Sequence, residues 1–271
     1  MTKTPRPTQP RRWTTLAVAS VTLAAAPAFA DLRSAPITLT NPDARMWLAE
    51  QGGEVGEAGT TANASTDAAY LAKIGVVEGH MLAARDLYAL GQKVDAVALS
   101  TRPQEEGTLA DLVREITDHG AADPSATIAA FTAAMAKDAS LAEVDAALSS
   151  VAQAFAAAAA VEADEVRARF DAVVMLLKAA ADEYSASIEN GAVADVMGWH
   201  ESHSFVTLAR QRLTDLAALP LSAAASAKAS TALTEADAAF GDPTSTTPFA
   251  GDPQILLGIA AKVELIASSV R

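Results

Sequence analysis

From residue 65 onward, apolar positions recur every three or four residues, and no stretch alternates with a period of two over a useful length. That spacing predicts helices that each bury one stripe. The clearest case is Val166, Phe170, Val173, Val174, Leu177, Ala181, Tyr184 and Ile188, which share one helix face. Helix ends are equally legible. Ser65 or Thr66 caps a helix that reaches Leu90, and Gly91 ends it. Further helices are predicted over 104–118 and 124–137, parted by Gly120 and Asp123-Pro124, and a long one runs from its cap at Ser140 through Ala160. Near 162–164 that helix either bends or continues to Ile188, where Asn190-Gly191 stops the chain. Three more cover about 195–218, 223–240 and 253–269, bounded by Pro220, Gly241-Asp242-Pro243 and Pro253. Alanine, the best helix former, fills these segments. The predicted fold class is all-α, an antiparallel helical bundle with short connecting loops over residues 65–271, with possible halves 65–138 and 139–271.

The first 64 residues follow other rules. Residues 1–30 combine a basic, acid-free flank, a short apolar run and Ala28-Phe29-Ala30, the pattern of a secretory signal peptide cleaved after Ala30. The apolar run is shorter than the roughly 20 residues a bilayer span needs. Arg11-Arg12 leaves both the Sec and the twin-arginine route open. Residues 31–64, rich in Pro and Gly, read as a flexible arm with one short helix near 44–51. The expected location is the periplasm.

Charge sharpens that picture. The chain has 20 basic and 33 acidic residues, a net charge of −13. Loss of Lys3, Arg6, Arg11 and Arg12 with the leader takes the net charge to −17. Such a surface repels nucleic acid and anionic lipid and attracts cations. The chain has no cysteine, which excludes disulfides and thiolate metal ligands. No further membrane span is expected after the leader.

Candidate chemistry is sparse. Gly198-Trp-His-Glu-Ser-His-Ser-Phe205 carries two of the four histidines. With Met197, Phe205, Leu208, Ala209, Leu213 and Leu216 defining the apolar face, helical phase puts Glu201 inside and His200 and His203 on the wet side. At i and i+3 the two imidazoles either clasp a divalent cation weakly or are plain surface residues, and the i, i+4 geometry of H-E-x-x-H is absent. In the helix from Ser65, Glu78 and Arg85 lie within the apolar face and His80 at its edge. A buried carboxylate requires a partner. The expectation is one polar network of Glu78, Arg85 and Glu201, serving either helix register or, with one carboxylate left free, a ligand. Asp111, Glu115, Asp118 and His119 share a face that reads as a solvated stripe more than a cation site. No nucleophile has a neighbouring base in any known pattern, so no enzyme activity is expected.

Two segments carry a family likeness. Ile74-Gly-Val-Val-Glu-Gly-His-Met-Leu-Ala-Ala-Arg-Asp-Leu-Tyr-Ala-Leu-Gly91, and Glu183-Tyr-Ser-Ala-Ser-Ile-Glu-Asn-Gly191 leading to Trp199-His-Glu-Ser-His-Ser-Phe205, resemble alanine-rich exported helical proteins of proteobacteria. They also resemble the periplasmic helical extensions of bacterial iron permeases and, more distantly, imelysin-like iron-uptake proteins. The chain departs from the imelysin-like H-x-x-E, since Ala83, Ala122 and His203 stand three residues after His80, His119 and His200. The nearest match to the permease R-E-x-x-E, Arg114 to Asp118, ends in aspartate, and Arg102 stands where those relatives have a histidine. The resemblance implies an accessory or binding component of metal-ion acquisition, with a divalent or ferric ion, iron foremost; with the family motifs absent, metal binding must rest on this chain's own Glu78, His80 and Glu201, joined by His200 and His203. It also implies an envelope or transport protein as partner. The alternative is a non-catalytic envelope scaffold or adaptor that binds its partner through an apolar helix face.

Overall fold

The first described helix, α1 (Thr66–Ala89), opens where the sequence marks it: the Ser65 hydroxyl accepts from the Ala68 amide, 3.2 Å away. The computed structural model describes residues 65–162, 165–245 and 248–270, so the predicted leader, arm and short helix near 44–51 lie outside the described residues. α1 is followed by α2 (Lys93–Glu105), α3 (Thr108–Asp118), α4 (Ser125–Ala136) and α5 (Leu141–Ala159), which ends in a 3₁₀ turn (Ala160–Glu162). After the bend come α6 (Val166–Ser187), a two-residue strand pair β1 (Ile188–Glu189) and β2 (Ala192–Val193), and α7 (Val196–Ala217). The chain closes with α8 (Ala223–Leu233), a 3₁₀ turn, the single-turn α9 (Asp237–Phe240) and α10 (Gln254–Ala267). The all-α expectation holds.

Two elements were not foreseen. α2 lies in a stretch for which no helix is predicted; Pro103 sits in its last turn, where it forgoes one intrahelical N–H bond shortly before the helix ends at Glu106-Gly107, with Gly107 at φ 80°. The helix predicted over 104–118 is α3, which begins at Thr108 after α2 ends at Glu105. The other is the hairpin. Asn190 and Gly191, with φ of 53° and 76°, form the two-residue Asn-Gly turn that pairs Ile188 with Val193 and Glu189 with Ala192. Asn-Gly stops the helix, as predicted, and also turns the chain back so that α7 returns against α6.

Apolar side chains collect in two large clusters. One draws on α1 to α5, from Tyr70 to Ala158. The other is built from α6 to α10, Phe170 to Val270, with Val76 reaching in from α1. α5 therefore packs into the first core through Val144, Val151 and Phe155, and the expected division after residue 138 falls inside that core. The stretch Leu141–Glu162 is long and apolar enough, by length and composition, to cross a membrane. Its alanines lie mostly outside the core; Val144, Val151 and Phe155 point into it, while Leu141 and Val161 are exposed.

The second core is tied by polar contacts from buried aromatics. The Tyr184 hydroxyl donates to the Ala239 carbonyl at 2.5 Å and accepts from the Gly251 amide at 2.7 Å. The Trp199 indole donates to the Phe249 carbonyl at 3.0 Å. These bonds seat the loop before α10 against the hairpin end of the bundle. Gly251 is required there, because a Cβ would meet the Ala239 carbonyl oxygen at 2.7 Å.

A buried polar seam between α1 and α7

α1 and α7 cross at Gly79 and Phe205. A Cβ on Gly79 would lie 2.3 Å from the edge of the Phe205 ring, so glycine is what lets the helices approach this closely. Three candidate residues surround the crossing. Glu78 is 5% exposed, His80 2% and Glu201 0%. The sequence expectation that both carboxylates point inward is met, and His80, placed at the edge of its face, is fully inside. α1 is packed by α2, α5, α6 and α7, so it has no wet side at this level.

The partners differ from those expected. Arg85 is not part of the seam: it bonds Asp145 of α5 at 2.7 Å and its neighbour Asp86 at 3.1 Å. Glu78 is bonded by Arg212 of α7. Glu201 is held by Arg102 of α2, whose Nη1 lies 2.8 and 2.9 Å from its two oxygens, and its Oε1 is also 3.1 Å from His80 Nδ1. The single network of Glu78, Arg85 and Glu201 is replaced by two arginine–glutamate pairs, each reaching the seam from a different helix. Arg85 lies too near the α5 side of α1 to reach either carboxylate.

Arg212 and Arg102 were both missed. Arg212 lies eleven residues after Glu201, three helical turns along the same face, and that register was legible. Arg102 was not, because no helix is predicted over its segment. Burial raises the Glu78 carboxyl above its ordinary range, with Asp215 adding to the rise, even though Arg212 pulls the other way.

The histidines of α7 are where the sequence reading fails most clearly. Both were expected on the wet side. His200 is 1% exposed and His203 is partly buried, because α7 packs against α6, α1 and α8 and has little open face at its start. His200 meets the Trp199 ring edge-on at 4.9 Å, and His203 lies parallel to it at 6.2 Å and edge-on to Phe240 at 5.2 Å. Burial lowers the pKa of both, that of His200 to about 4, helped by the neighbouring His203. Neither ring nitrogen of His200 has a hydrogen-bond partner, nor has His203 Nδ1 or the Ser204 hydroxyl.

The remaining acidic stripe disperses into ion pairs. Asp111 pairs with Arg114 at 2.7 Å, Glu115 with Lys73 at 2.5 Å, and His119 lies 3.0 Å from Glu162 while stacking on Tyr70 at 4.2 Å. Among the described residues, no group of three or more His, Asp and Glu side chains is gathered as a metal cage. A cavity of about 230 Å³ has Leu71, Leu176 and Leu216 in its wall and Arg169 and Arg212 beside them. None of the histidines lines it.

Residues 159–269 match the iron permease-associated 4-helix bundle domain. The match covers α6 to α10, the elements that build the second core, and includes the segments Glu183 to Gly191 and Trp199 to Phe205. It supports the resemblance of this part of the chain to the helical extension of iron permeases. Neither a curated protein nor a solved structure matches the chain.

Proposed function

We propose that this chain is an exported, non-catalytic accessory of metal-ion acquisition, with iron as its cargo and a transport protein of the envelope as its partner. The observation that carries this reading is the match of residues 159–269 to the iron permease-associated bundle. The net charge of −13 and the leader-like first 30 residues agree with a cation-handling role in the periplasm. The candidate metal residues remain Glu78, His80, Glu201, His200 and His203, all on the two helices that cross at Gly79.

The test is genetic and direct. A strain lacking the gene should grow poorly under iron limitation and take up less radioactive iron, and the intact gene should restore both. Unchanged iron uptake in the deletion strain overturns the reading.

One observation favours the adaptor as a second reading: α10 turns Leu257 and Leu265, two turns apart on one face, toward solvent. An adaptor role predicts normal iron uptake in the deletion strain, and co-purification with an envelope protein that is lost when both leucines become lysine.

A further inference from the structure

The two carboxylates best placed to take a cation already face guanidinium groups. Arg212 holds Glu78 and Arg102 holds Glu201. A metal ion entering there would have to displace an arginine from a buried carboxylate, which breaks a favourable pair in a poorly solvated place. Among the described residues, four of the buried side-chain atoms left without a hydrogen-bond partner lie elsewhere, together on the stripe of α7 formed by His200, His203 and Ser204. These residues stand at i, i+3 and i+4, so their side chains neighbour one another on one helix face.

An orphaned imidazole at 1% exposure is unusual, since buried polar atoms are almost always satisfied. His200 has both nitrogens in that state, and His203 and Ser204 add one atom each. Neutral imidazole offers one lone pair and one N–H, and the lone pair is a good ligand for borderline cations. Ferric iron, a harder ion, favours oxygen donors. His203, only partly buried, marks the side from which an ion would enter.

We infer that His200 and His203, with the Ser204 hydroxyl one turn along, form a site for a borderline divalent cation of the ferrous or zinc class, and not for ferric iron. The identity of the cargo rests on the proposed function; the location rests on the geometry alone. The rings of Trp199 and Phe240 fix the two imidazoles in place, as the supporting groups of a metal site do.

The experiment uses the purified full chain, with imidazole resonances followed by NMR. Zinc ion, and ferrous ion in the absence of oxygen, should move the resonances of His200 and His203 and saturate near one equivalent, while ferric citrate should leave them in place. The double variant H200A/H203A should lose zinc affinity by more than about tenfold. Zinc that moves neither resonance, that moves His80 instead, or that binds the double variant equally well overturns the inference. The spectra of the unaltered chain decide the matter even if the double variant fails to fold. Failure here leaves an iron-uptake defect of the deletion strain untouched, whereas normal iron uptake with zinc bound at His200 and His203 removes the transport reading and keeps the site.

Discussion

Arg102 and Glu201 meet with one guanidinium nitrogen 2.8 and 2.9 Å from the two carboxylate oxygens, although the carboxylate is fully buried and the arginine lies on a helix that the sequence pattern does not predict. The pair joins α2 to α7, ninety-nine residues apart, and sets the depth at which α2 sits on the bundle. Removing one member leaves the other charge without its main counter-ion in a place water reaches poorly. Arg102→Ala should therefore lower stability by about 3–5 kcal/mol, read from urea denaturation. Arg102→Met with Glu201→Leu should recover most of that loss. A single variant within 1 kcal/mol of the unaltered chain would show that His80 and solvent suffice for Glu201.

The approach of Gly79 to Phe205 leads to a second expectation. Any Cβ at residue 79 must push aside a ring that is itself packed on all sides. Gly79→Ala should cost about 1–3 kcal/mol despite the better helix propensity of alanine. Shortening the opposing side chain, Phe205→Leu, should relieve part of the clash, so the double variant should be more stable than the two single losses added together. Strict additivity in thermal melts would contradict the crossing geometry.

His200 gives a pH dependence with a defined sign. Its pKa is near 6.5 in the unfolded chain and about 4 in the folded one, so between those values the unfolded state binds more protons. Stability must then fall as pH drops through that window and flatten below it, by an amount on the order of 3 kcal/mol. His203 shifts in the same direction and adds to the slope. Glu78, whose pKa is raised, works oppositely: its contribution is present in acid and is lost as pH rises through its folded value. Comparing the midpoint of urea unfolding at pH 7 and pH 5 for the unaltered chain and for His200→Phe isolates the term, because the variant should lose much of the slope. An equal slope in both would place His200 in water.

A smaller effect is expected at the start of α5. The Ser140 hydroxyl accepts from the Glu143 amide, and the Glu143 carboxylate accepts from the Ser140 amide at 2.9 Å. This reciprocal cap satisfies amides that the helix leaves open. Ser140→Ala should cost about 1 kcal/mol, whereas Ser140→Asp should cost only a few tenths. Circular dichroism melts check both, and an unaffected alanine variant would mean that α5 is held by its core contacts alone.

Much of the architecture could be read from local chemistry. Caps at Ser65 and Ser140, stops at Gly91 and Asn190-Gly191, and the buried stripe from Phe170 to Tyr184 are short-range features, and each is where the sequence puts it. Phase arguments succeeded for α3, a surface helix that buries Leu109, Leu112 and Ile116 and leaves its charged face to solvent. They failed for His80, His200 and His203 because one-stripe logic presumes a helix with one wet face. α1 and the start of α7 have neighbours on several sides, so residues opposite the apolar stripe are buried as well.

By itself, then, the sequence determined the helical class, most element boundaries, the inward direction of Glu78 and Glu201, and the likeness to iron permease extensions that residues 159–269 bear out. Only the tertiary structure decided that Arg212 and Arg102, and not Arg85, meet those carboxylates, and that the imidazoles of α7 are enclosed. The reason is range. Propensity, capping and periodicity act over one or two turns, whereas the partner of a buried charge and the number of covered faces depend on which helices, distant in sequence, come to lie side by side.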